Sequence, residues 1–276
     1  MRDIVAIIAE IGDAGRRLAA IQAAEGAAGN LSIALGGPVD LAGRFPLQEP
    51  ITLPESAPSL AAAVLVVTGS GCRLGAIEHD ADALLGVVVV QPGGETAILH
   101  SSPRRAFRRL TGELNSHLAL HERAFRAGAN FQAVVHAQPP YLTFLSHIDR
   151  YLDEGFLNRR ILRWQPELIA HFPDGIAIAP FDVPGSARLA QTTAERLGGR
   201  SLLIWARHGV IVRSALGMAP AVDLLEYAET GARYEQLNLA SGEPADGLSV
   251  EEMLAICREH GVVQTVFADP SGDEGG

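Results

Sequence analysis

The chain is 276 residues long, 47% hydrophobic and 20% charged, which supplies a sizeable core and excludes an intrinsically disordered chain. Its formal net charge of −10 excludes a general nucleic-acid surface, which needs clustered cations, but not a small anion in a locally positive pocket. Two cysteines, Cys72 and Cys257, are too few for a disulfide framework and predict a reducing compartment. Asp3, Glu10 and Asp13 interrupt the N-terminal apolar run, so it does not read as a signal peptide. The apolar runs at 61–67 and 83–90 fall far short of the ~20 residues of a membrane span. The expectation is a cytoplasmic protein with neither nucleic-acid nor membrane partners.

In chain order, Ile4, Ile7, Ile8, Ile11, Leu18 and Ile21 recur at helical spacing and predict an amphipathic helix over 3–24. Leu31, Ile33 and Leu35 alternate as a strand that ends at Gly36-Gly37-Pro38. Residues 38–58 hold five prolines and little periodicity, and read as an irregular excursion. Residues 60–67 form a buried strand running into Thr68-Gly69-Ser70-Gly71. Residues 84–91 and 95–100 read as a hairpin around Pro92-Gly93-Gly94. Leu114, Leu118, His121 and Phe125 share one face of a helix. Strands are expected at 133–136, 176–179, 201–205 and 210–213, and helices at 141–147, 188–197 and 220–239. Strands and helices intermingle without a linker or repeat, so one α/β domain over 1–268 with a frayed tail at 269–276 is the expectation.

Four polar landmarks lie where apolar strands meet turns: Gly29-Asn30-Leu31-Ser32, Thr68-Gly69-Ser70-Gly71, Gly112-Glu113 with His117 four residues on, and the histidines of His136-Ala137-Gln138 and Arg207-His208-Gly209. Glycines that let backbone N–H groups converge, beside hydroxyls, suit an anion, although such turns also serve as plain strand-to-loop connections. Two residues spaced by one position on a strand share a face, and His208 adds a third donor from afar. Buried, hydrogen-bonded histidines fit the same spacing, and Glu113 with His117 also fits a surface ion pair. Cys72, His121 and Phe125 read as core, Trp164 and Trp205 as packing near strand ends, and Arg104, Arg105, Arg108 and Arg109 as a solvated helix face. His79, His100, His147 and His171 have no usable spacing.

Taken in order, GNLS, TGSG, T-x-E with its histidine, H-x-Q and HGV resemble the motifs of the class II aldolase/adducin family. The FPDG of Phe172 to Gly175 and the VPG of Val183 to Gly185 resemble the rhamnulose-1-phosphate aldolase branch rather than the fuculose branch. The resemblance implies a central, mainly antiparallel sheet flanked by helices, and a homotetramer with active sites between subunits. It implies a Zn2+ site, with Mn2+ or another divalent metal as the alternative, at His136, Gln138 and His208. It casts Glu113 as the carboxylate exchanging protons with substrate and Glu167 as a second carboxylate sent into a neighbouring subunit. Asn30, Ser32, Thr68, Gly69, Ser70, Thr111 and Gly112 match the substrate and phosphate cradle, with His117 behind it.

The implied activity is retro-aldol cleavage of a ketose 1-phosphate or related polyol, such as rhamnulose 1-phosphate, to dihydroxyacetone phosphate and an aldehyde. Three positions depart from the pattern: Gln138 stands for a histidine, Gly112 for a serine and Ala27 for an asparagine. Other metal-enediolate chemistry (epimerisation or decarboxylation) and an inactive adducin-like assembly role therefore stay open.

Overall fold

The computed structural model describes residues 2–41 and 43–267. Helix α1 (Ile4–Ala20) follows the two-residue strand β1 (Arg2–Asp3) and begins where the Asp3 carboxylate accepts the Val5 N–H at 2.9 Å. Ile4, Ile7, Ile8, Ile11 and Leu18 form its buried stripe, as the spacing predicts. It stops earlier than expected because Gln22 turns to a φ of 61°, outside the helical region.

Nine strands form one sheet. They are β2 (Asn30–Leu35), β4 (Leu47–Thr52), β5 (Val64–Thr68), β6 (Leu85–Val90), β7 (Thr96–Ser101), β8 (Phe131–Ala137), β9 (Ala177–Ala179), β10 (Leu202–Trp205) and β11 (Gly209–Ser214). A short β3 (Val39–Asp40) pairs only with β1. The order across the sheet is β4-β7-β6-β5-β2-β8-β11-β10-β9. Every pairing within this nine-stranded sheet is antiparallel except β9 with β10, so the expected mainly antiparallel sheet is observed.

Strand β4 corrects the reading of 38–58 as irregular. It lies at the sheet edge with five of its six residues exposed, so it carries no inside–outside alternation. An edge also tolerates Pro50, whose missing N–H breaks no ladder between two strands. Residues 104–109 form a turn-rich loop rather than a helix face. There Arg105 pairs with Glu49 at 2.6 Å and lies over the Phe107 ring, while Arg104 pairs with Asp80.

Helices cover both faces. Leu31, Ile33 and Leu35 of β2, with Ala133 and Val135 of β8, join the larger core under α1 and α8 (Met218–Ser241). The alternate residues face α3 (Leu114–Arg126) and α7 (Ala187–Leu197), where Leu118 packs with Val67, and Leu120 with Val134 and Leu189. Shorter helices complete the shell: α2 (Ile77–Leu84), α4 (Pro140–Leu145), α5 (Glu154–Ile161), α6 (Pro166–His171) and α9 (Val250–Glu259). Among the described residues no helix is long and apolar enough to cross a membrane. The tail expected at 269–276 lies outside the described residues.

Antiparallel order fixes where the polar landmarks fall. The start of β2, the ends of β5 and β8 and the start of β11 all reach the same edge. There Asn30 is opposite His136, and Val210 is opposite Ala137.

Candidate metal centre and its surroundings

At that edge lies a cavity of about 210 Å3. Asn30, Gly69, Ser70, Thr111, Gly112, Glu113, His136, Gln138 and His208 all line it, so these residues, remote in sequence, meet at one place. Ser32, Thr68 and His117 do not line it. They are buried behind its wall at 0%, 1% and 0% exposure, where they bear on the site through other residues. Glu167 is exposed on α6 and lines no part of this cavity.

The three groups that best suit a cation are Glu113, His136 and His208, whose nearest donor atoms all lie within 4.8 Å of one another. Glu113 Oε2 is 3.2 Å from His136 Nε2, and Oε1 is 3.3 Å from His208 Nε2. The sequence reading put His136, Gln138 and His208 together and gave Glu113 a separate role. The fold brings the carboxylate into contact with both imidazoles, with Gln138 on the same cavity wall.

The residues present fit a divalent cation. His136 Nδ1 lies 2.9 Å from the Val210 carbonyl, which can only accept, so Nδ1 carries the proton and Nε2 offers a lone pair. Burial first, and then His136, lowers the His208 pKa to about 4 against the opposing pull of Glu113, which keeps its imidazole neutral. Glu113 Oε1 is buried with no hydrogen-bond partner among the described residues. His136 Nε2 and Glu113 Oε1 are thus acceptors without a hydrogen-bond donor, 3.3 Å from Oε1 lies His208 Nε2, and a cation would satisfy all three.

Local backbone geometry aims the two imidazoles. Arg207 adopts a φ of 62° in the tight β10–β11 turn, a region sparsely used by side-chain-bearing residues, and its N–H is held by Ser146 Oγ at 2.7 Å. Trp205, buried at the end of β10, stacks on His208 at 5.1 Å and approaches His136 at 4.7 Å. Its indole N–H is anchored on Thr193 Oγ1 at 2.9 Å. The sequence assigned Trp205 only to packing; it also forms a floor beneath both imidazoles.

The opposite rim is the TGSG turn. The Ser70 N–H bonds the Arg109 carbonyl and the Thr111 N–H bonds the Thr68 carbonyl, which ties the turn to the segment leading to Glu113. Gly69 is obligatory, because a Cβ there would lie 2.3 Å from the Phe107 ring. Around Gly112, by contrast, a Cβ would meet nothing within 4 Å.

Behind the wall, Asn30 Nδ2 donates to Glu113 Oε2 at 2.8 Å. His117 contacts Asn30 and Ser32 rather than forming a surface ion pair with Glu113. That correction follows from its complete burial on the inner face of α3.

The Class II Aldolase and Adducin N-terminal domain family matches residues 9–235. Rhamnulose-1-phosphate aldolase of Enterobacter sp. (strain 638) is 30% identical over 218 residues, 77% of this chain and 76% of that protein. The rhamnulose-1-phosphate aldolase of Escherichia coli O9:H4 (strain HS) is 30% identical over 224 residues, 79% of each. The sugar-phosphate aldolase of Thermotoga maritima superposes with a TM-score of 0.74 at 25% identity, over 88% of this chain and 99% of that one. The chain belongs to the class II aldolase and adducin family.

Proposed function

We propose that the protein is a divalent-metal-dependent aldehyde-lyase. In this reading it cleaves a ketose 1-phosphate such as rhamnulose 1-phosphate to dihydroxyacetone phosphate and an aldehyde. The observation that carries the reading is the convergence of Glu113, His136 and His208 in one small polar cavity.

Composition supports it from another side. All 22 Lys and Arg residues are arginine, so these residues offer no lysine amine for a Schiff base, the other common route to stabilising a carbanion beside a ketone. His136 and His208 would hold the cation, with Glu113 and the Gln138 amide oxygen completing its donors. Zn2+ is the first candidate, and Mn2+ gains from the oxygen donors. When bound, the cation supplies the positive charge that the ketose carbonyl and the developing enediolate need.

The protein's own residues do the rest. Breaking the bond between carbons 3 and 4 leaves an electron pair on carbon 3 of the dihydroxyacetone phosphate half, and Glu113 would deliver there a proton that its carboxylate takes up from solvent. The hydroxyl proton on carbon 4 must leave as the aldehyde forms, and Glu167 of a neighbouring copy is proposed to act at that end. Among the described residues no arginine lines the cavity. The phosphate would therefore be held by neutral donors: the backbone N–H groups of Gly71 and Gly112, and the side chains of Asn30, Ser70 and Thr111.

The test is release of dihydroxyacetone phosphate from L-rhamnulose 1-phosphate by protein loaded with Zn2+ or Mn2+. Release should be abolished by chelation, restored by metal, and lowered at least about 100-fold in Glu113→Gln. A loaded, folded protein that releases none from any ketose phosphate would overturn the reading.

A further inference from the structure

The polar residues behind the cavity wall form a continuous line. Asn30 Nδ2 donates to Glu113 Oε2 at 2.8 Å, His117 Nε2 meets Asn30 Oδ1 at 2.5 Å, and Ser32 Oγ meets His117 Nδ1 at 2.6 Å and His121 Nε2 at 2.7 Å. Ser32, His117 and His121 are each 0% exposed and Asn30, at the cavity wall, 7%, so the links among the first three are closed to solvent.

Each role in the line follows from the one before it. A carboxylate only accepts, so Asn30 must turn its NH2 to Glu113 and its oxygen to His117. His117 Nε2 must then carry the proton, and its Nδ1 is left as an acceptor. The Ser32 hydroxyl gives its proton to that Nδ1 and can only accept from His121, whose proton therefore sits on Nε2. Burial above all holds both imidazoles neutral: His117 lies well below its usual range and His121 falls to about 3.

The far end completes the pattern. His121 Nδ1 and Gln132 Oε1 are both buried acceptors without a partner among the described residues, and the two side chains lie in hydrogen-bonding proximity. An amide looks the same with its oxygen and nitrogen exchanged. Turning Gln132 so that its NH2 faces His121 Nδ1 gives that nitrogen the donor it lacks.

We infer that Gln132, His121, Ser32, His117 and Asn30 form a one-directional hydrogen-bond chain. Every donor in it points toward Glu113, and the chain fixes Oε2 so that Oε1 is the atom left free in the cavity. The first four are positioning residues acting through Asn30. The inference rests on the proposed role of Glu113, but the arrangement itself can be tested without any substrate.

In metal-free protein with 15N-labelled histidine, long-range proton–nitrogen spectra report the tautomer of each buried imidazole. His117 and His121, assigned by comparison with His117→Gln and His121→Asn, should both be neutral with the proton on Nε2. A proton on Nδ1 of either ring would overturn the chain, whatever the protein catalyses. The positioning role is read from Co2+ binding and from turnover. His117→Leu should weaken Co2+ binding and lower kcat, each roughly tenfold with KM little changed, whereas His117→Gln, which can still donate to Asn30, should recover most of both. A folded His117→Leu with unchanged Co2+ affinity, or equal losses in Leu and Gln, would refute positioning through that donor. Absent turnover in the wild type would count against the aldolase reading alone, since the tautomers and Co2+ affinities are measured without it.

Discussion

The residue that the family resemblance singles out is Gln138. It follows the end of β8, its N–H is fixed on the Ala23 carbonyl at 2.8 Å, and it shares the cavity wall with His136 and His208. A neutral amide oxygen is a poorer partner for Zn2+ than imidazole. Gln138→His should therefore raise Zn2+ affinity by about tenfold or more while changing Mn2+ affinity much less, as measured by competition with a chromophoric chelator. Unchanged Zn2+ affinity would mean that position 138 does not reach the ion. The positions of these donors were legible in short motifs, because strand ends and glycine turns carry local signatures. The contact of Glu113 with both imidazoles was not, since residues 113, 136 and 208 meet only through the sheet's antiparallel register. For the same reason Ser32 read as a cradle hydroxyl and His121 as plain core. That each is a link in a polar chain depends on β2 packing under α3, 85 and 89 residues away in sequence.

At the scale of elements, strands with buried faces were legible from their period-two and β-branched runs. What escaped was β4, exposed and proline-bearing, α2, a short polar helix broken at Asp80 by a φ of −145°, and the short helices α5 and α6. One interaction between elements bears directly on the site. Glu229 of α8 accepts the Tyr141 and Leu142 N–H groups at 2.8 and 2.9 Å, seating the first turn of α4 two residues beyond Gln138. Burial pushes the Glu229 pKa up to about 7, against the two amide donors that lower it. A carboxyl whose folded value is raised stabilises the fold fully below its unfolded value near 4.5 and loses that contribution as pH rises through about 7. The wild type should thus lose unfolding temperature relative to Glu229→Gln as pH climbs from 5 to 8, by on the order of 3 kcal/mol in stability. Thermal unfolding of both proteins across that range checks it, and a constant difference would place Glu229 among groups that do not titrate there.

At the scale of the whole molecule, Glu113 is the one carboxylate that lines the cavity of a single chain among the described residues, and the proposed cleavage needs a second acid–base group at the aldehyde end. Glu167 is the candidate, yet it stands exposed on α6 away from its own chain's cavity. It can serve only if copies assemble so that α6 of one faces the cavity of the next. Exposed Phe181, Val183 and Leu216 at 54%, 63% and 86% give the surface apolar residues available for burial in such an assembly. The assembly that the family resemblance implies is a homotetramer, with a mass about four times the 29.2 kDa of one chain. If a site draws Glu113 from one copy and Glu167 from its neighbour, Glu113→Gln and Glu167→Ala damage opposite halves of it. Each variant alone should be nearly inactive. Unfolded together in equal amounts and refolded, they should assemble at random, and a site is intact only when both of its contributors carry the native residue. That occurs with a chance of one half for each copy, so the mixture should recover about one quarter of wild-type turnover. Recovery at that level, in particles of tetramer mass, would establish Glu167 as a group acting across copies. A mixture no more active than the average of the two variants would confine the reaction to residues of a single chain.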